Sequence, residues 1–83
     1  MPFFVYLLKS ISPGKRKTYV GYTNNLTKRL FLHNNNKGAK STRGLKWKIL
    51  YKKKFVSKSK AMSYEYKLKH NKILRKKIIT KYD

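Results

Sequence analysis

Acidic residues and cysteine are nearly or wholly absent from this chain. Its 83 residues include 23 Lys and Arg but only two acidic residues, which are Glu65 and Asp83. The formal net charge is therefore +21 at pH 7. The lack of cysteine excludes disulfides, thiol catalysis and thiolate metal sites. Any bound metal therefore has to use oxygen or imidazole ligands.

Long hydrophobic runs are also missing. The longest apolar stretch, Phe3–Leu8, is far shorter than the roughly 20 residues that a membrane span requires. No basic segment precedes it, as a signal peptide would need. We therefore expect a soluble, intracellular protein of the cytoplasm or nucleoid, with no membrane partner.

The length and apolar content indicate one small folded domain, residues 1–83. A chain of this size buries only about 60% of its unfolded surface, so its core must be small. Its 40% hydrophobic and 14% aromatic residues distinguish it from a disordered basic tail, which lacks the apolar side chains needed to offset chain entropy.

The excess of positive charge predicts a polyanionic partner, most commonly nucleic acid. Binding of this kind weakens steeply with salt, because each phosphate contact releases counterions. An anionic membrane surface, or an organism in which every protein is basic, are the alternatives. The residues predicted to bind nucleic acid lie in two basic segments, and they are Lys15, Arg16, Lys17, Lys37, Lys40 and Arg43.

Two β-prone segments near the N-terminus predict an antiparallel hairpin. Phe3–Leu8 ends at a turn-rich stretch, and Thr18–Tyr22 follows after a short basic tip. Because alternate residues of a strand share a face, Tyr6 and Tyr19 are expected to be neighbours across this hairpin.

A first helix is predicted over residues 26–33, with Asn24 or Asn25 as its N-cap. Positions 26, 29, 30 and 33 follow the spacing of one helical face. This inward stripe combines two leucines with Arg29 and His33. The pair can clamp a phosphate, with the guanidinium on two oxygens and the imidazole donating or relaying a proton. A solvated arginine and a hydrogen-bonded structural histidine are the alternative interpretation.

The second half of the chain predicts a third strand and two more helices. Residues 47–52 alternate like a half-buried strand, with Trp47, Ile49 and Tyr51 on its core face. A helix follows from a cap at Ser57 or Ser59 and covers residues 61–70, and a last short helix after residue 71 frays near the C-terminus. The expected fold is α/β, with a small, mainly antiparallel three-stranded sheet flanked by helices.

Glu65 is a conspicuous carboxylate in a chain that otherwise avoids acids. It lies on the same helical stripe as Ala61 and Leu68. One or two carboxylates, completed by water and substrate phosphate, often suffice for Mg²⁺. The alternative is a structural ion pair with Lys69 or Arg29.

These segments together resemble the GIY-YIG nucleases. Val5-Tyr6-Leu7, a gap of about a dozen residues, and Tyr19-Val20-Gly21 are similar to the two-part signature of that family. Asn25-Leu26-x-x-Arg29-x-x-x-His33, the loop 37–44, Trp47 and a helical Glu65 follow in family order. The resemblance covers residues 3–75 and is closest to small stand-alone bacterial members and to the catalytic domain of junction- and flap-cutting endonucleases.

The resemblance implies a role for each matching residue. Tyr6 and Tyr19 would flank the scissile phosphate, and one of them would activate or orient the attacking water. Arg29 would stabilise developing charge, His33 would support the site by hydrogen bonding or proton transfer, and Glu65 would ligate one Mg²⁺ or Mn²⁺. The same resemblance implies that Gly21 lets the backbone approach closely. We expected the surrounding positive charge to favour the phenolate of a tyrosine base.

The expected activity is metal-dependent hydrolysis of phosphodiester bonds, with branched, flapped or single-stranded DNA favoured over RNA by the resemblance. An accessory protein could supply specificity. A non-catalytic nucleic-acid-binding module and a basic ribosome-associated protein are the two alternatives, and both predict binding without cleavage.

Overall fold

The computed structural model describes residues 2–83 and contains three strands, three α-helices and one short 3₁₀ turn. None of the helices in this range combines the length and apolar character needed to cross a membrane. In chain order the elements are β1 (Phe3–Ser10), β2 (Thr18–Thr23), α1 (Leu26–Asn34), the 3₁₀ turn (Lys40–Thr42), β3 (Trp47–Phe55), α2 (Lys58–Lys69) and α3 (Lys72–Tyr82).

The three strands form one antiparallel sheet in the order β2-β1-β3. The predicted hairpin and the predicted α/β architecture are both confirmed, although each strand runs one to three residues further than the sequence indicated. The central strand β1 carries the core, since four successive residues, Val5 to Leu8, are at most 2% exposed. Such burial on both faces is what a middle strand between two helical layers requires.

Alternate residues of β1 point into two separate cores. Val5 and Leu7 face α2 and α3, where Ala61, Leu68 and Ile78 are also buried. Tyr6 and Leu8 face the opposite layer, which α1 and the loop before β3 supply. The period of two along the strand thus separates an apolar layer from a layer that contains polar side chains.

The third strand corrects one prediction. The pairing of β1 with β3 places Leu7 opposite Tyr51 but Leu8 opposite Ile49, so Leu50 is an extra residue in a β-bulge. Beyond the bulge, the strand exchanges its faces. Trp47 and Ile49 therefore pack against the α1 layer, while Tyr51 packs against α2 and α3. The expected common face of these three residues was wrong.

Side chains cap all three helices at their N-termini. The side-chain oxygens of Asn25, Ser57 and Asn71 accept hydrogen bonds from the main-chain N–H three residues later. Helix α2 consequently starts at Lys58, three residues before the predicted start. The predicted last helix is present as α3 and continues to Tyr82, whose ring centroid lies 5.5 Å from that of Tyr51.

Candidate active site

Two tyrosines and a glycine meet where β1 and β2 pair. Tyr6 is directly opposite Gly21, and Tyr19 lies diagonally across with its ring centroid 6.3 Å from that of Tyr6. A Cβ atom on Gly21 would lie 2.5 Å from the Tyr6 hydroxyl oxygen. Because position 21 has no side chain, there is room for the Tyr6 phenol. The family pattern implies a close approach of the backbone, and here the group that approaches the Gly21 backbone is a side chain.

His33 connects this pair of phenols to α1. Its Nε2 atom lies 2.9 Å from the Tyr6 hydroxyl, and its Nδ1 atom lies 2.9 Å from the Thr42 hydroxyl. The Thr42 hydroxyl donates its one proton to the Ala39 carbonyl at 2.8 Å. His33 must then donate from Nδ1, so Nε2 is the acceptor and Tyr6 is the donor. The chain of donors runs from Tyr6 through His33 and Thr42 to Ala39.

Burial determines the protonation of both rings. His33 is 1% exposed, and burial, with a smaller effect from the Arg29 charge, lowers its pKa below the usual 6.5. Burial is also the largest cause of a strongly raised pKa for Tyr6, with Tyr19 and Glu65 raising it further and Arg29 lowering it. For Tyr6, the expectation that surrounding charge would favour a free phenolate was wrong, because desolvation outweighs the single nearby cation.

Arg29 and Glu65 approach the same phenol from different elements. Arg29 is half-buried on α1, one helical turn before His33. Glu65 is half-buried on α2, in the opposite layer. Both charges act on the pKa of Tyr6. The fold therefore brings the five predicted catalytic residues, Tyr6, Tyr19, Arg29, His33 and Glu65, into one neighbourhood beside the edge strand β2.

The Glu65 carboxylate retains the capacity to bind a cation. Its side chain is 19% exposed, and Lys69 Nζ lies 3.9 Å from one of its oxygens, at the outer limit for an ion pair. Of the two structural pairings considered, the structure contains this weak one and, within residues 2–83, no ion pair between Glu65 and Arg29. The same range contains no group of three or more His, Asp or Glu side chains that could hold a metal ion together. One carboxylate with free oxygens fits a hard cation that keeps most of its water.

The sequence model of the GIY-YIG catalytic domain matches residues 2–78. The chain belongs to the GIY-YIG catalytic domain family. Membership in this family of nucleases extends over nearly the whole fold, from the start of β1 into α3.

Several relatives of this GIY-YIG domain are UPF0213 proteins of bacteria. One from Oceanobacillus iheyensis is 48% identical over 67 residues, which are 80% of this chain and 74% of that protein. One from Lactococcus lactis is 39% identical over 77 residues, 92% of this chain and 71% of that protein. The solution NMR structure of a UPF0213 protein from Bacillus halodurans has a TM-score of 0.54 at 34% identity and covers 98% of this chain and 84% of that chain.

The match to some relatives is shorter. A UPF0213 protein of Streptococcus pneumoniae is 49% identical over 55 residues, which are 65% of this chain and 56% of that protein. The GIY-YIG domain thus spans from about half to three quarters of the curated relatives named here.

Three residues support the GIY-YIG site in ways that were not predicted from the sequence. Thr42 is fully buried in the 3₁₀ turn and orients His33. The indole N–H of Trp47 donates to the Thr42 carbonyl at 3.0 Å and fixes that turn. Gly38 lies against the imidazole so closely that a Cβ atom there would overlap His33 Nδ1. The sequence placed all three in or beside the loop 37–44, whose polar composition gave no sign of a buried threonine.

The predicted nucleic-acid-binding residues of the GIY-YIG domain are all exposed. Three of them form the tip of the β1–β2 hairpin, and three lie on the loop between α1 and β3. Their side chains take no part in the buried hydrogen bonds of Tyr6, His33 and Thr42. The members of the first group are Lys15, Arg16 and Lys17, and those of the second are Lys37, Lys40 and Arg43.

Proposed function

We propose that this chain is a divalent-metal-dependent endonuclease that hydrolyses phosphodiester bonds, and that residues 1–83 form one domain. One observation carries the proposal. The Tyr6 hydroxyl donates a hydrogen bond to the buried, neutral imidazole of His33. The charges of an arginine and of the helical carboxylate, Arg29 and Glu65, both act on that phenol. A histidine with only a structural role requires no pair of phenols beside it. A surface that only binds nucleic acid requires no buried imidazole.

In the proposed reaction, one water molecule lies between the phenol oxygens of Tyr6 and Tyr19. Half-buried Tyr19 orients the water, and the oxygen of the water attacks phosphorus. As the new P–O bond forms, the water proton passes to the Tyr6 oxygen while the Tyr6 proton passes to His33 Nε2. The raised pKa of Tyr6 is no obstacle, because no free phenolate forms. The bond to the leaving oxygen breaks, and that oxygen takes a proton from solvent.

Two charged residues act on the phosphate in this proposal. Arg29 compensates the negative charge that develops on the non-bridging oxygens, for which the forked guanidinium is suited. Glu65 holds Mg²⁺ or Mn²⁺, which when bound supplies positive charge at the phosphate and the leaving oxygen.

The substrate we propose is DNA with branched, flapped or single-stranded regions, in the nucleoid. The net charge of +21 and the exposed basic residues of the hairpin tip and of the loop between α1 and β3 support a nucleic-acid substrate. The preference for DNA over RNA rests on the family. Because the basic residues are spread over loops, we propose that shape and charge guide recognition, with an accessory protein adding specificity.

Glu65→Gln tests the enzyme directly. Removing one charge from an isosteric side chain should abolish Mg²⁺-dependent nicking of flapped, forked and four-way DNA while affinity for the same DNA is retained. Cleavage and binding are measured on the same labelled substrates, with linear duplex and hairpin RNA included. Lys67→Gln is the matched control, since it changes an exposed charge on the same helix away from the site.

A non-catalytic nucleic-acid-binding module is the second candidate, and the 3.9 Å contact of Glu65 with Lys69 favours it. That contact assigns the carboxylate a structural role that requires no metal. If the wild-type protein and Glu65→Gln cleave equally, or neither cleaves any substrate with Mg²⁺ or Mn²⁺, the enzyme proposal is wrong and this candidate replaces it.

A further inference from the structure

A cationic cleft adjoins the candidate active site on the side of Tyr19. It has a volume of about 300 Å³ and lies between the start of β2, the 3₁₀ turn and the corner that joins α2 to α3. Tyr19 belongs to both the cleft and the site. The residues that give the cleft its polar lining are Thr18, Ser41, Lys69 and Arg75.

Arg75 is held in place at the corner of the two helices. Its Nη1 atom donates to the Leu68 carbonyl at 3.0 Å and also to the Lys69 carbonyl, both at the C-terminal end of α2. These two bonds use one nitrogen of a group with five N–H donors. The other donors stay available on a guanidinium whose position is already fixed, so binding an anion there costs less side-chain entropy.

Lys69 adds a second charge to the same cleft. Its side chain is 47% exposed and is held only by the long contact with Glu65. Among residues 2–83, no carboxylate lines this cleft. By contrast, the larger cleft at the hairpin tip includes Asp83, whose carboxylate already bonds to Lys9. Of these two basic clefts, the one beside Tyr19 is the better anion site.

Position in the sheet indicates which anion would enter. Strand β2 is an edge strand, and the clefts at its other end are lined by Arg29, with Lys28 or Lys58. Cationic clefts therefore lie at both ends of β2, on either side of the two phenols. A polynucleotide strand carries a charge at every nucleotide and matches a row of clefts better than a single small anion does.

We propose that the cleft formed by Thr18, Ser41, Lys69 and Arg75 binds the backbone phosphate next to the scissile one, so that the substrate strand runs along the β2 edge. This inference rests on the proposed function for the position of the scissile phosphate. The phosphate-binding role of the cleft does not depend on the proposed function and can be tested by binding alone.

The first test is the salt dependence of binding, measured without divalent metal so that Glu65 plays no part. Fluorescence anisotropy of a labelled flapped DNA is compared for wild type, Lys69→Gln and Lys67→Gln. Loss of one phosphate contact should lower the slope of log K against log salt by about 0.7 to 0.9 and weaken binding about fivefold at 0.1 M salt. Lys67→Gln should change neither. Equal slopes for Lys69→Gln and wild type would overturn the proposal.

The second test locates the phosphate. A neutral methylphosphonate is introduced at each position in turn of the flapped DNA, whose branch fixes the binding register. At one position the substitution should weaken binding by wild type about fivefold but leave binding by Lys69→Gln unchanged, because the partner charge is already gone. Ser41→Ala, which leaves the helix corner intact, should show a weaker form of the same coupling.

The two proposals fail differently. If the wild-type protein cuts DNA but no position is coupled to Lys69, or the coupled position is not adjacent to the cut, the cleft proposal is wrong and the enzyme proposal stands. If nothing is cut but one position is coupled, the enzyme proposal fails and the cleft is a phosphate site of a nucleic-acid-binding module.

Discussion

The two faces of the sheet each contain a phenol with a raised pKa, buried Tyr6 on one and half-buried Tyr51 on the other, and the two phenols have different partners. On the α2–α3 face, the hydroxyls of Tyr51 and Tyr64 lie 3.1 Å apart, and burial with this bond raises the pKa of Tyr51 to about 12. On the α1 face, the Tyr6 hydroxyl donates to His33 instead. The pKa of Tyr6 is also raised, chiefly by burial.

The comparison shows that a raised phenol pKa alone does not indicate a site. On the α2–α3 face a phenol meets another phenol, whereas on the α1 face a phenol donates a hydrogen bond to a neutral imidazole, a group that can take up a proton. We expect the α1 face, which has fewer apolar side chains, to supply the phenol and the imidazole of the proposed site, and the α2–α3 face to supply most of the stability together with Glu65. Substitutions on the two faces should therefore affect different measurements.

Ile78→Ala on the α3 face should have the largest effect. Removing this buried side chain loses its transfer free energy and leaves a cavity, so the free energy of unfolding should fall by about 3 kcal/mol. Urea unfolding followed by circular dichroism measures it. Cleavage per folded molecule should stay within about twofold of wild type, since Ile78 packs in the α2–α3 core, on the other side of the sheet from Tyr6. A large loss of cleavage in the folded fraction would show that the two faces are not independent.

Gly21→Ala on the other face should reverse that pattern. The added Cβ atom would displace the Tyr6 hydroxyl from its bond to His33, and a misplacement of about 1 Å can reduce the rate about a hundredfold. We expect that loss in single-turnover cleavage, with a well-folded protein by circular dichroism.

Gly14→Ala is the matched control in the same hairpin. Its φ of 74° strains any L side chain, but a Cβ atom there would meet nothing within 4 Å. It should cost about 1 kcal/mol of stability and leave cleavage unchanged. Equal activities for the two glycine variants would contradict the close packing proposed for Tyr6.

The sequence was sufficient for those parts of the fold that follow from local periodicity. The hairpin, the helical stripe of Arg29 and His33 and the caps at Asn25 and Ser57 all came from spacing or short-range chemistry. The bulge at Leu50 did not, because nothing in residues 47–52 marks where pairing with β1 skips a residue. One unpaired residue moved Tyr51 to the opposite face.

The site was predicted less completely than the fold. The catalytic residues suggested by the family occupy one neighbourhood, but the expected tendency of a tyrosine to ionise depended on burial that composition cannot reveal. Thr42 was hidden for a different reason. Its role arises from a 3₁₀ turn that Trp47 holds from the next strand, and contacts between separate segments have no signature in a single sequence.

Thr42→Val tests the hydrogen bonds on the α1 face, where the candidate site lies. It removes the acceptor of the His33 Nδ1 proton and leaves a buried donor without a partner, which costs about 1 to 3 kcal/mol. We expect cleavage to fall about tenfold. We also expect the ¹⁵N shifts of His33, measured by NMR, to change from a pure Nδ1–H form to a mixture of both tautomers.

Thr42→Ser is the control, since it keeps the hydroxyl that accepts from His33 and donates to Ala39. It should retain the Nδ1–H tautomer and most of the activity. If Thr42→Val left the tautomer unchanged, Thr42 would be a packing residue without a positioning role.

The smallest predicted effect is the dependence of stability on pH. Because the pKa of His33 is lowered in the folded protein, the unfolded chain binds more protons below the ordinary value of 6.5, so stability is complete above pH 6.5 and is lost as pH falls. The loss between pH 7 and pH 5 should be at most about 2 kcal/mol. The scarcity of carboxylates makes it measurable, since few other groups of this chain titrate in that range.

The chain supplies its own control for this measurement, because its other histidine, His70, is exposed on the surface. The melting temperature of wild type and of His70→Gln should fall from pH 7 to pH 5, while that of His33→Gln should stay nearly constant. A flat profile for His70→Gln together with a sloping one for His33→Gln would contradict a neutral, buried His33. The proton transfer proposed from Tyr6 would then lose its acceptor, and the two faces of the sheet would differ only in packing.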